Sequence, residues 1–168
     1  MFKSRAYSFP LKAKLFEAVV TPVALYGCAG WTLSSKMEDQ LRTTRRRMLR
    51  IMLCTRRRPD ESWIEFIKRG TAEAESRMMS SSYACWVPGY RRHKWRFVGK
   101  TVRATDERWS KRLLDWQPHF RCWPHRSVGH PHLRWEDAFT KIAGGEWLSI
   151  AASDTWTVLE HGFVSNVF

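Results

Sequence analysis

The sequence predicts an all-α protein, and three observations carry that prediction. Apolar residues recur three and four positions apart in several segments, the period of one helical face. No run alternates with a period of two, so nothing reads as a strand. Capping residues, prolines and paired glycines punctuate the periodic segments. The 168 residues allow one domain or two small ones, and 43% apolar content with ten tryptophans argues against wholesale disorder.

Taken in order, residues 11–26 read as a helix restarted at Thr21-Pro22, because proline suits a first turn and not an interior. Gly27 and Gly30 follow as punctuation. Ser35 and Glu38 fit a capping box opening a helix that runs to about Leu53 and stops before Pro59. Asp60 is read as the cap of a short helix carrying Trp63, Ile64 and Ile67 and ended by Gly70. Thr71 caps the next, through about Trp86, and Pro88-Gly89 is a turn and domain boundary. Beyond it, Trp95, Val98 and Val102 share one helical face. Asp106 caps a helix with Trp109, Leu113 and Trp116 inward, residues 117–131 read as a loop, and Trp135, Phe139 and Ile142 mark a helix stopped by Gly144-Gly145. A last helix follows Ser153 with Trp156 and Leu159 inward. The tryptophans at helical spacing are expected in the core, and Trp86 and Trp123, beside prolines, are expected at the surface.

One segment dominates the chemistry. Between Arg42 and Arg58 lie eight arginines and no acidic residue. Met37, Leu41, Thr44, Met48 and Ile51 form a stripe spaced four, three, four and three, predicted to anchor the helix while the guanidinium groups face outward. Planar, permanently charged guanidinium groups suit phosphate. With a formal net charge of +13, the expected partner is a polyanion, DNA, RNA or an anionic membrane surface. The striped arginine helix puts nucleic acid first, with no membrane and no small-molecule substrate expected; a membrane-surface protein holding its basic helix on anionic lipid is the weaker rival.

Cys28, Cys54, Cys85 and Cys122 form no CxxC pair and are read as reduced thiols of an intracellular protein of the nucleus or cytoplasm. Residues 18–35 carry no charge but include Pro22, Gly27 and Gly30, which argues for a buried helix rather than a membrane span. Cys122, His125, His130 and His132 are a weak metal-ligand candidate whose spacing matches no zinc finger or knuckle; no cofactor is expected. Two-metal phosphoryl transfer needs convergent carboxylates. The acid pairs here, Glu38-Asp39, Asp60-Glu61, Asp106-Glu107 and Glu136-Asp137, sit where helix starts and solvation account for them. No nucleophile-elbow or phosphate-loop motif occurs, so no independent catalysis is expected.

Two stretches resemble a known family. Pro22, Leu25-Tyr26-Gly27, Trp31-Thr32-Leu33 and the run LRTTRRRMLR at 41–50 look like the thumb of reverse transcriptases from non-LTR (LINE-type) retrotransposons. Lys94-Trp95-Arg96-Phe97-Val98-Gly99, Arg108-Trp109, Leu114 to Pro118 and Gly129 to Asp137 resemble the segment after that thumb. Three places depart from the family pattern: residues 99–103 lack its histidine, His130 stands where it has arginine, and the run RCWPHRSV at 121–128 replaces a Gly/Arg-rich linker.

The resemblance implies a thumb-like bundle of short helices over residues 10–87, after a disordered stretch 1–9, and a smaller basic, Trp-rich helical module over 88–168. It implies a non-catalytic fragment of an RNA-directed DNA polymerase, whose palm carboxylates would lie on a longer chain or on a separately encoded palm and fingers polypeptide. Arg42, Arg45, Arg46, Arg47 and Arg50 would contact a template–primer backbone of RNA, DNA or hybrid, joined by Arg56, Arg57 and Arg58. Arg91, Arg92, Lys94, Arg96 and Lys100 would extend the basic surface. The competing expectation is an orphan retroelement product with no independent biochemical activity.

Overall fold

A computed structural model describes residues 2–79, 85–106, 108–115 and 133–165. Among these residues every regular element is helical. The chain groups into two compact units. The first comprises residues 1–27 and 35–90, and the second residues 28–34 and 91–168.

The first unit opens with α1 (Phe9–Leu15), which continues through a π-helical turn (Phe16–Val20) into α2 (Thr21–Ala24). Pro10 and Pro22 each fall in a first turn, where a missing N–H is tolerated. The expected restart at Thr21-Pro22 therefore holds, with a widened turn before it. Ahead of α1, the ring of Phe2 meets Phe16 edge-on at 6.5 Å.

Helix α3 (Ser35–Leu53) has the length expected from its signals. Its inward face, however, is not the expected one. Glu38, Arg45, Leu49 and Met52 are buried, whereas Met37, Met48 and Ile51 are 51%, 37% and 41% exposed. The sequence carries two stripes one residue apart, both of helical period and both passing through Leu41. The stripe through Arg45 is the buried one: its Leu49 and Met52 pack with Ala13, Phe16, Ala74 and Met78, and Glu17, on the π-helical turn, lies 3.7 Å from the Arg45 guanidinium.

After α3, Cys54 takes a left-handed conformation (φ 55°), and Lys12 Nζ donates to the Met52 carbonyl (3.1 Å), capping the helix end. The next helix, α4 (Trp63–Met79), is one element where two were expected. Its start is a capping box at Ser62: the Ser62 N–H donates to Glu65 Oε2 (2.8 Å) and the Glu65 N–H to Ser62 Oγ (3.2 Å). Gly70 does not end it but lies buried inside it, where the Arg50 stem passes 3.5 Å from the position of an added Cβ. α3 and α4 pack on α1 and the π-helical turn around Ala13, Phe16, Leu49, Met52, Ala74 and Met78. Trp86 completes that core, stacked on Phe16 at 5.8 Å with its indole N–H on Thr21 Oγ1 (2.9 Å). The surface expectation for Trp86 fails because its polar edge has a partner inside; Trp123 lies outside the described residues.

Pro88 and Gly89 form no turn. They lie in the first turn of α5 (Trp86–Val102), which supplies the first unit up to Tyr90 and the second from Arg91. The second unit adds the 3₁₀ turn Cys28–Gly30, α6 (Trp109–Asp115), α7 (Asp137–Ala143), α8 (Trp147–Ala152) and α9 (Thr155–Ser165). Its core is aromatic: Trp95, Phe139, Trp147, Trp156 and Phe163, with Val98 and Ala151. Trp135 joins its edge and donates its indole N–H to the Ala29 carbonyl (2.7 Å), tying the 28–34 segment to this unit. Trp109 and Leu113, expected inward, are 75% and 60% exposed, and Leu114 faces the core instead. Asp106 does not cap α6 but grips Arg108 through two bonds of 2.6 and 2.7 Å. Among the described residues no helix is long and apolar enough to cross a membrane.

Candidate nucleic-acid interface

The basic residues singled out by sequence fall into two sets, one in each unit. On α3, the arginines have unequal surroundings. Arg45 is buried at 3% exposure, paired with Glu17, with NH1 on Cys85 Sγ at 3.7 Å. A side chain so enclosed offers no surface to a partner, so Arg45 leaves the set of candidate contacts. Arg42 donates to Asp39 (2.6 Å) and sits 3.5 Å from Glu38; Arg46 Nε donates to Glu75 Oε1 (2.8 Å). Arg50 NH1 donates to Thr71 Oγ1 (2.8 Å), and Thr71 donates to the Ile67 carbonyl. The lack of acids between Arg42 and Arg58 does not leave the arginines unmatched, because carboxylates arrive from the preceding turn and from other helices. Arg47 is exposed and meets no carboxylate among the described residues.

The triplet Arg56, Arg57 and Arg58 leaves α3 on a short loop that is firmly pinned. Glu61 accepts from Arg69 Nε (2.7 Å) and NH2 (2.8 Å), and from the Arg58 backbone N–H (3.2 Å). Arg69 NH2 also donates to the Arg56 carbonyl (3.0 Å), and Arg57 Nε donates to the Glu61 carbonyl (2.7 Å). The Arg69 hydrogen bonds are the main reason the Glu61 carboxyl falls to about 2. One buttressing ion pair thus fixes the backbone of a loop whose three arginine side chains are exposed.

In the second unit, Arg91 and Lys94 are 3% and 1% exposed and leave the interface set for the same reason as Arg45. Lys94 Nζ donates to the Trp31 carbonyl (3.1 Å) and lies 5.2 and 5.3 Å from the ring centres of Trp135 and Phe139, a cation held by a carbonyl and two π faces. Arg92, Arg96 and Lys100 face outward. With Ala29, His93 and Phe97 they line an open cavity of about 300 Å³. Glu160 on α9 accepts from Arg96 (2.8 and 2.9 Å) and lies 3.6 Å from Arg92, which pushes the Arg96 guanidinium further toward its charged form.

His93 and Phe97 were missed by the sequence reading. The signal was present, as an H-x3-F pair displaced by one position from R-x3-R-x3-K. Cys122, His125, His130 and His132 lie outside the described residues, and among the described residues no group of three or more His, Cys, Asp or Glu side chains could hold a metal.

The chain is 26% identical over 155 residues to an uncharacterized, transposon-derived protein of Caenorhabditis elegans. The similarity covers 84% of this chain and 50% of the worm protein, so the chain spans half the length of that relative. No family model matches the chain. No solved structure matches it.

Proposed function

We propose that this chain derives from a transposable element and is a non-catalytic part of a non-LTR reverse transcriptase, its thumb and the segment after it, that grips nucleic-acid backbone without reading sequence. The motif order in residues 22–50 and 94–137 supports the reading, as does the transposon origin of the worm relative. The observation that carries it is an irreducible surplus of charge: even with every carboxylate paired, thirteen cations remain without one. Arg47, Arg56 and Lys100 are among those left exposed, with no carboxylate partner among the described residues. Contacts of this kind position a backbone and carry no base information. Polymerisation would need carboxylates around two metal ions, and these would come from a palm on a longer chain or a separate polypeptide.

Fluorescence anisotropy with a labelled RNA–DNA hybrid tests the reading. Six or so phosphate contacts give a log–log salt slope on the order of −5. Replacing Arg47, Arg56 and Arg57 by Ala should flatten that slope by about 2 to 3 and weaken all sequences alike. A slope near zero for the parent protein removes the proposal.

The orphan reading is favoured by one observation, the exposure of Tyr26 at 85%, Trp63 at 62% and Ile64 at 65%. Self-association on a sizing column together with a non-cooperative melt would decide for it.

A further inference from the structure

Helix α5 carries two parallel rows on its outward side. Arg92, Arg96 and Lys100 stand four residues apart, a rise of about 6 Å between neighbours. His93 and Phe97 form a second row displaced by one position, and all five line the cavity floored by Ala29. Phe97 is 40% exposed, although the unit buries Trp95 and Val98 on either side of it. An aromatic ring left in water beside three cations is the pairing that single-stranded nucleic acid uses: charge tracks the phosphates while a ring offers a face to a base. In a duplex the bases are already stacked and paired, so the ring would contribute nothing there.

We infer that the groove on α5 is a binding track for single-stranded nucleic acid, in which Arg92, Arg96 and Lys100 hold successive phosphates and Phe97, with His93 beside it, stacks on a base. This rests on the proposed backbone-gripping function and narrows it to a strand type and a place. Glu160 orients both arginines but competes with phosphate for them, and its single negative charge leaves the groove cationic.

The test uses the full chain and four labelled probes: a twelve-nucleotide RNA, the matching single-stranded DNA, the same DNA as a duplex, and heparin, which has charge but no bases. Phe97→Ala should weaken the two single strands about fivefold or more, leave heparin and duplex unchanged, and leave the salt slope unchanged. Glu160→Gln should tighten all four probes and steepen the slope. A Phe97→Leu variant, equally apolar and unable to stack, should behave as Phe97→Ala; retention of single-strand affinity in Phe97→Leu would overturn the stacking role. Equal loss for heparin and single strands in Phe97→Ala would likewise overturn the inference while leaving backbone binding intact. No binding of any probe by the parent protein would overturn both. If the RNA arm alone responds, the track is for RNA; if both respond, it is for either strand chemistry.

Discussion

Trp95 and Trp156 hold each other reciprocally: their rings stack with centroids 3.6 Å apart, and each indole N–H donates to the other's backbone carbonyl, at 2.8 and 3.0 Å. Both are essentially inaccessible to water, and Phe139 and Phe163 close around the pair. Gly99, one turn beyond Trp95, gives this pair its room. A Cβ there would lie 2.7 Å from Cδ1 and 2.8 Å from Nε1 of Trp156, a rigid ring already locked by its hydrogen bond. Ala normally gains up to about 1 kcal/mol over Gly inside a helix. Here overpacking of about 1–3 kcal/mol outweighs it. Gly99→Ala should therefore lower the urea midpoint followed by tryptophan fluorescence.

Gly70 predicts the opposite sign. It too lies mid-helix, but a Cβ would rest at 3.5 and 3.7 Å from the flexible stem of Arg50, an ordinary contact. With a helical backbone and no clash, Gly70→Ala should stabilise the protein by about 0.5–1 kcal/mol. The same urea titration checks it, and a lower midpoint would show that Arg50 cannot shift while bonded to Thr71.

The two glycines also show what the sequence could and could not tell. Gly70 read as a helix end because glycine stops helices locally; a covering arginine, distant in sequence, makes it an interior residue. Local signals fared well where the cause was local. The all-α class and the limits of α3 were legible, as were Pro22 in a first turn and Gly144, at φ 77°, closing α7. Facing was less legible on α3, where two stripes of equal period overlap and residues from other helices, Ala13, Phe16, Ala74 and Met78 with Glu17 beside Arg45, meet only one of them. The candidate site suffered likewise: a run of arginines states its charge but not its partners, and Glu17, Glu75 and Glu61 come from other elements. The helix α8, opened by buried Trp147, was missed because six residues are too few to show a period.

Arg45 and Arg47, two residues apart, should separate folding from binding. Arg45→Ala strands the carboxylate of Glu17, 16% exposed, without its counter-charge, and breaking such an enclosed pair costs about 3 kcal/mol or more. Arg47→Ala removes an exposed side chain with no carboxylate partner among the described residues and should change stability by no more than about 0.5 kcal/mol. In a salt titration against RNA–DNA hybrid, Arg47→Ala should lower the slope by about 1. Thermal melts run beside it should move only for Arg45→Ala. A large melt shift in Arg47→Ala would mean that this side chain is part of the fold rather than the interface.

Acid should loosen the arginine loop before it unfolds the chain. Glu61 has its carboxyl held at about 2, against an ordinary 4.5, chiefly by its hydrogen bonds to Arg69 and then by the Arg58 N–H. A carboxyl with a depressed folded-state value contributes stability fully above pH 4.5 and loses it as pH falls toward 2. Glu65, lowered through Ser62, works in the same direction at the start of α4. As pH falls through about 2, protonated Glu61 no longer draws Arg69 against the Arg56 carbonyl, and the loop carrying Arg56, Arg57 and Arg58 is released. Amide hydrogen exchange of residues 56–62 should rise between pH 4.5 and 2 relative to α3, after correction for the intrinsic pH dependence of exchange. A Glu61→Gln variant should show the fast exchange already at pH 6 and little further change on acidification. Protection that stays constant in both proteins across that range would show that the loop is held by something other than this ion pair.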